Sequence, residues 1–243
     1  MLPKILVFSK TAQLYQDLSQ SWFKIAQDSI QKRGWFAAAL CGGKTPKFFY
    51  RYLAKYGKNP LWQHTHLFLT DERMVSAQDK KNNGQMIRKS LLDHLEIPPP
   101  NIHFVNTDKN TVRSSAKAYE DELKAYFRLK SDSLPKFDLI LLGVGEDGHT
   151  ASLFPFTKVL QEKKRAIVFS LNPQRTQWRV SLSLPALNKA RNVFFLVTGK
   201  NKAKVIKRLL RGKGSQIPAA LVLPQRGKVS FFLDYPAGFL LNL

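Results

Sequence analysis

Residues 137–155 read FDLILLGVGEDGHTASLFP. The apolar run 137–142 has the length and composition of a strand buried on both faces, and a glycine-rich turn follows it at once. The turn, GVGEDG at 143–148, fits the G-x-G-x-x-G spacing of a dinucleotide-binding loop. Its chemistry does not. Glu146 and Asp147 stand where a pyrophosphate would approach, and two carboxylates repel it. Pro155 breaks the stretch where a helix should run, and the strand expected next, AIVFSLN at 166–172, ends without a ribose-binding acid. The stretch therefore reads as a tight turn at a strand end. Within it, Asp147 and His149 flank Gly148. A neutral imidazole is a suitable general base near physiological pH, and a neighbouring carboxylate can fix its tautomer. Asp147 and Asp71 are the two candidates for that carboxylate, and the alternative for a lone histidine is a hydrogen-bonded structural role.

Working outward, apolar runs alternate with helical patterns. Strands are expected at Lys4–Phe8, Trp35–Leu40, His66–Leu69, Ile102–Val105, Phe137–Leu142, Ala166–Leu171, Val180–Leu184, Val193–Val197 and Val229–Leu233. Helices are expected at Thr11–Lys32, Pro46–Tyr56, Asn83–Leu95, Val112–Leu129 and Lys202–Arg211. Alternation of this kind predicts an α/β fold, a Rossmann-like three-layer sandwich with a mainly parallel central sheet, in one domain over residues 1–243. Pro98-Pro99-Pro100 is a local connector, too short for a domain boundary.

Ligands of open parallel sheets bind outside the carboxyl ends of the strands. Four such ends are rich in glycine, charge or hydroxyls: CGGKTP (41–46), TDER (70–73), GVGEDGHT (143–150) and TGKNKA (198–203). Gly42 and Gly43 can bring backbone N–H groups to an anion, with Lys44 and Thr45 as further donors and a helix N-terminus behind them. An ordinary strand-to-helix turn has the same letters. Asp71 can orient a base or hold a hydroxyl, and Arg73 can fork onto a phosphate; a surface ion pair is the plainer alternative. Arg179 and Lys202 add two cations, so Lys44, Arg73, Arg179 and Lys202 are expected to converge on one anion.

The totals bound the remaining possibilities. With 44% apolar and 23% charged residues over 243 positions, the chain carries enough hydrophobic material for a folded core. The single cysteine, Cys41, excludes an internal disulfide and a zinc site built on several thiolates, and the histidines do not assemble a ligand set. MLPKILVFSK at the start reads as a first strand rather than a signal peptide, and no apolar run approaches membrane-spanning length, so the expected location is the cytoplasm and no membrane partner is expected. Lys and Arg number 39 against 17 Asp and Glu, a formal net charge of +22. The densest run, Lys200 to Lys213, holds seven cations and no acid. Such charge predicts nonspecific attraction of polyanions and a solvated basic surface, without a specific nucleic-acid partner.

LCGGKTPKFFY, LTDERMV, FDLILLGVGEDGHTASLFP, RVSLSLPALNKARNVFFLVTGKNKA and IPAALVLPQRGKVSFFLD occur in the order and spacing of the 6-phosphogluconolactonase family, which this chain resembles over nearly its whole length. The resemblance implies a fold like that of the glucosamine-6-phosphate deaminases. It also implies hydrolysis of 6-phosphoglucono-δ-lactone to 6-phosphogluconate, in the oxidative pentose phosphate pathway, with no metal and no organic cofactor. It implies His149 as the base acting on water, Asp71 as a holder of sugar and histidine, and Asp147 as a positioning residue. Gly42, Gly43, Thr45, Arg73, Arg179 and Lys202 match positions around the phosphate. The related deaminases read DGHIAFNEP, with a proton-transferring glutamate five residues after the histidine; Phe154 stands there in this chain. The family pattern is also left at Lys44, usually Ser, at Ser76, usually Pro, at Asn82-Asn83, usually Ser-Asn, and at Phe156, usually Gly. A sugar-phosphate lactone is thus the expected partner, and the expected state is a monomer or weak homo-oligomer.

Overall fold

A computed structural model describes residues 2–109, 111–131, 133–211 and 217–241. Ten strands are observed: β1 Lys4–Phe8, β2 Phe36–Leu40, β3 Thr65–Leu69, β4 Asp71–Arg73, β5 Ile102–His103, β6 Leu139–Leu142, β7 Ile167–Leu171, β8 Trp178–Leu182, β9 Asn192–Val197 and β10 Lys228–Asp234. The α-helices are α1 Thr11–Arg33, α2 Lys44–Tyr56, α3 Asn83–Ser90, α4 Val112–Phe127, α5 Leu184–Leu187, α6 Ala203–Leu210 and α7 Tyr235–Gly238.

Seven strands form a wholly parallel sheet in the order β1-β10-β9-β6-β2-β3-β5, flanked by helices. Its central strands β2 and β6 are buried at every position, as their continuous apolar letters require. Helix α1 buries Leu14, Leu18, Trp22 and Ala26, one stripe at a spacing of four. Trp22 meets Phe36 of β2 edge-on, with ring centroids 5.3 Å apart. Each fully buried side chain of this size contributes about 1.5–3 kcal/mol by leaving water. Gly34 ends α1 in the left-handed region at φ 84°, and its N–H caps the carbonyl of Ile30.

One expectation is corrected. The runs at 166–171 and 180–184 do not join the parallel sheet; β7 and β8 pair antiparallel, and β4 adds to β8 as a third antiparallel strand. The letters of RVSLSL alternate, unlike the continuous apolar runs of the parallel strands, although Val180, Ser181 and Leu182 are all buried. TDER, read from the sequence as the residues just beyond a strand, itself supplies β4. Thr70 joins the two sheets: its N–H donates to Leu40 O on β2 (2.9 Å), and its carbonyl accepts from Leu182 N (2.7 Å). Two helix boundaries also move. Helix α2 starts at Lys44, since Pro46 in the first turn removes an N–H that has no intrahelical partner anyway. The helix expected to run to Leu95 ends at Ser90, and a separate 3-10 turn covers Leu92–His94. Of the basic run 200–213, residues 212 and 213 lie outside the described residues.

Candidate active site

The four strand ends meet. A cavity of about 720 Å³ lies outside the carboxyl ends of β2, β3, β6 and β9, roofed on one side by the antiparallel sheet. Its walls include Gly42, Gly43, Lys44, Thr45, Asp71, Arg73, Asp147, His149, Arg179 and Lys202. All ten residues singled out in the sequence therefore line one space.

The glycine pair opens α2. Gly43 takes φ 118°, a conformation other residues rarely adopt, and so turns the chain from β2 into the helix. The helix N-terminus and the exposed Lys44 thereby face the cavity. The Thr45 hydroxyl meets that of Thr198, at the end of β9, at 2.8 Å.

On the antiparallel sheet that lines the cavity, Arg73 of β4 and Arg179 of β8 are direct cross-strand partners. Arg73 donates to the carbonyl of Lys81 (2.6 Å), and neither guanidinium forms an ion pair among the described residues. The buried Nε of each has no partner. Burial first, and then the charge of Arg73, holds the Arg179 guanidinium below its ordinary pKa. Like charges set directly opposite destabilise a strand pair. Two such arginines facing a cavity form a receptor for an anion.

His149 hangs from the turn after β6. Its Nδ1 lies 2.6 Å from Asp147 Oδ1, and its backbone N–H donates to the same oxygen at 3.1 Å. Burial pushes the Asp147 carboxyl up, but these hydrogen bonds outweigh it and hold the group below its ordinary value. An ionised carboxylate on Nδ1 places the proton there, so Nε2 is left to accept. Nε2 has no hydrogen-bond partner among the described residues. The buried ring of Phe154 packs beside the imidazole, with centroids 4.9 Å apart.

Asp71 is the other carboxylate, and it does not bond to His149. It is buried, its Oδ1 accepting from Thr70 Oγ1 (3.1 Å) and its Oδ2 from Ser152 Oγ (2.6 Å). Of the two partners open to the imidazole, the structure gives Asp147. Cys41, deep in the same wall, is no nucleophile here: burial, then the charge of Asp71, pushes its thiol up to about 12. Among the described residues no group of three or more His, Cys, Asp or Glu is placed to hold a metal ion.

Three residues of this site were not singled out from the sequence. Ser152 fixes Asp71, and its only signal was its place three residues after His149. Asn83 lines the cavity against Gly42, and had been noted only as the start of an expected helix and as part of the Asn82-Asn83 departure. Gly145 leaves room for the His149–Asp147 pair; a Cβ there would overlap His149 Nδ1 and stand 2.6 Å from Asp147 Oδ1.

The profile of the glucosamine-6-phosphate isomerase/6-phosphogluconolactonase family matches residues 9–231. The chain belongs to this family. It is 39% identical to a 6-phosphogluconolactonase of Synechocystis sp. over 212 residues, 86% of either chain. The solved 6-phosphogluconolactonase of Trypanosoma brucei superposes with a TM-score of 0.88 at 31% identity, covering 98% of each chain. A monomeric glucosamine-6-phosphate deaminase superposes at 0.79 with 20% identity over 98% and 99% of the two chains, a likeness of fold alone. No helix of the described residues is long and apolar enough to cross a membrane.

Proposed function

We propose that this chain hydrolyses 6-phospho-D-glucono-1,5-lactone to 6-phospho-D-gluconate, with His149 as general base on the attacking water. The observation that carries the reading is the pairing of an oriented imidazole with an unneutralised arginine pair across one cavity. Water donates a proton to Nε2 as its oxygen bonds to C1. The tetrahedral intermediate then collapses, the bond from C1 to the ring oxygen breaks, and the imidazolium returns the proton to that oxygen. Asp147 stabilises the imidazolium and keeps Nδ1 protonated. A δ-lactone is an activated ester, so neither a covalent nucleophile nor a metal is required for this step.

Arg73, Arg179, Lys44 and Lys202, with the N-terminus of α2 at Gly42, Gly43 and Thr45, bind the phosphate remote from C1. Binding energy gathered there orients the lactone over His149. Asp71 accepts from a sugar hydroxyl, its own carboxylate held by Ser152 and Thr70. Phe154 has no proton to move, which separates this site from a ring-opening deaminase.

A background-corrected hydrolysis assay with the lactone tests the reading, run beside ammonia release from glucosamine 6-phosphate. Turnover of the first alone is expected. Ammonia release without lactone hydrolysis would reverse the assignment, and tight ligand binding with no turnover would make the chain a sugar-phosphate binder.

A further inference from the structure

Asn83 opens α3, and its backbone is clamped. Asn83 N–H donates to Glu72 Oε1 at 2.8 Å and Gly84 N–H donates to Oε2 at 2.7 Å, while Arg73 N–H also reaches Oε1 at 2.7 Å. Glu72 is wholly buried, and among the described residues it forms no ion pair. A carboxylate bound by three N–H groups thus locks the first turn of α3 to β4, the strand that also carries Asp71 and Arg73.

The side chain is fixed as well. Asn83 Nδ2 donates to the carbonyl of Asp71 at 2.9 Å. A carbonyl only accepts, so this bond sets which end of the amide is nitrogen. Oδ1 then points to the cavity beside Gly42; a Cβ on Gly42 would overlap the amide, standing 2.7 Å from Nδ2. Only a glycine at position 42 admits the amide there. Oδ1 accepts no hydrogen bond from a described protein group, although the residue is only 2% exposed. Oδ1 is not among the buried polar atoms left without a partner, so it is open to the cavity and free to accept from a ligand there.

We propose that Asn83 is a substrate-contacting residue whose Oδ1 accepts a hydrogen bond from a ring hydroxyl of the sugar. The inference rests on the lactonase reading above. The chemistry selects the group: the phosphate and the lactone carbonyl offer only acceptors to a second acceptor, whereas a hydroxyl supplies the proton. The neighbouring Asp71 is an acceptor too, so two acceptors, Asp71 and Asn83 Oδ1, stand side by side in the cavity, with the cation Arg73 two residues further along β4.

The test uses the 2-, 3- and 4-deoxy analogues of the phosphorylated lactone with wild type, Asn83→Ala and Asn83→Ser. One neutral hydrogen bond contributes about 0.5–1.5 kcal/mol, equivalent to about 2- to 12-fold. In wild type the analogue lacking the hydroxyl bound by Asn83 should lose kcat/KM by that factor against the parent lactone, and an analogue lacking a hydroxyl bound by Asp71 should lose activity whether or not residue 83 is changed. In Asn83→Ala the parent lactone should fall by the same factor and the first of these analogues should fall no further. A merely structural role would lower both substrates equally. The inference is overturned if Asn83→Ala discriminates against each of the three analogues just as wild type does. It is also overturned if wild type treats all three analogues like the parent, which needs no variant to fold. Absence of wild-type turnover on the parent lactone would instead remove the lactonase reading.

Discussion

Replacing Gly145 by alanine separates catalytic geometry from stability. The backbone of Gly145 does not occupy the left-handed region, so alanine is tolerated there by the main chain. The added methyl would nevertheless fall on His149 Nδ1 and 2.6 Å from Asp147 Oδ1, and the pair at 2.6 Å must part. Both side chains are more than a third exposed, at 35% and 44%, so they can swing into solvent without disturbing the core. The lost exposed pair contributes at most about 1 kcal/mol to folding, which is about 2–4 °C in Tm for a chain of this size. The catalytic effect is larger, because an unpositioned base forfeits about 10²–10⁴-fold in rate. At 1.36 kcal/mol for each tenfold, that is about 3–5 kcal/mol of barrier. Gly148→Ala is the contrasting variant. Gly148 sits at φ 88°, and a Cβ there would meet Ile217 Cγ2 at 2.5 Å, so the strain falls on the fold and Tm should drop by several degrees. Background-corrected lactone hydrolysis and thermal unfolding, measured on both variants, give the comparison. A folded Gly145→Ala enzyme retaining more than a tenth of wild-type kcat/KM would refute the claim that the His149–Asp147 pair drives the reaction.

Other consequences follow from the same geometry. Arg179→Gln removes one of two opposed cations, so Tm should hold or rise by up to a few degrees while KM for the lactone rises at least tenfold; steady-state kinetics and a melting curve check both. Ser152→Ala strips a 2.6 Å hydrogen bond from the buried Asp71 carboxylate and should cost about 1.5–3 kcal/mol in denaturant unfolding, with kcat/KM also falling. Stability against pH has two opposing contributions. Burial raises the Glu72 carboxyl to about 7 from 4.5, so its contribution is complete below 4.5 and is lost as pH rises through 7. Burial, then His103, lowers half-buried His66 to about 4 from 6.5, so its contribution is complete above 6.5 and is lost as pH falls through 4. The two slopes oppose each other between pH 4.5 and 6.5. His66→Phe should therefore expose a fall in stability with rising pH over that interval, measured by urea unfolding; an unchanged profile would count against it.

Much of this fold was legible because strands buried on both faces announce themselves as apolar runs, and FDLILL, WFAAAL and VFFLV all did. The order β1-β10-β9-β6-β2-β3-β5 was not, since it depends on partners more than 200 residues apart, as where Lys4 lies opposite Ser230. Strand β4 was hidden for another reason. Three charged letters have no strand propensity of their own, and pairing with β8 alone makes Asp71–Arg73 extended. At the site, the cations and the histidine could be read because their chemistry shows in their letters. What could not be read was which carboxylate the imidazole takes. Asp147 wins because the turn from Gly145 to His149, closed by Gly145 N–H on His149 O at 2.8 Å, folds the two side chains together. Asp71 is meanwhile held by Thr70 and Ser152. Asn83 stayed hidden because its place depends on the clamp by Glu72 and on the missing side chain of Gly42.

The most direct test of the account is kcat for lactone hydrolysis by His149→Ala, measured beside the affinity of the same variant for 6-phosphogluconate. The imidazole forms no hydrogen bond to Arg73 or Arg179 and is not among the cations assigned to the phosphate, so product affinity should stay within about threefold of wild type. Loss of the base should lower kcat by about 10²–10⁴-fold. A variant that binds the product normally and turns over at near-normal kcat would contradict the central claim.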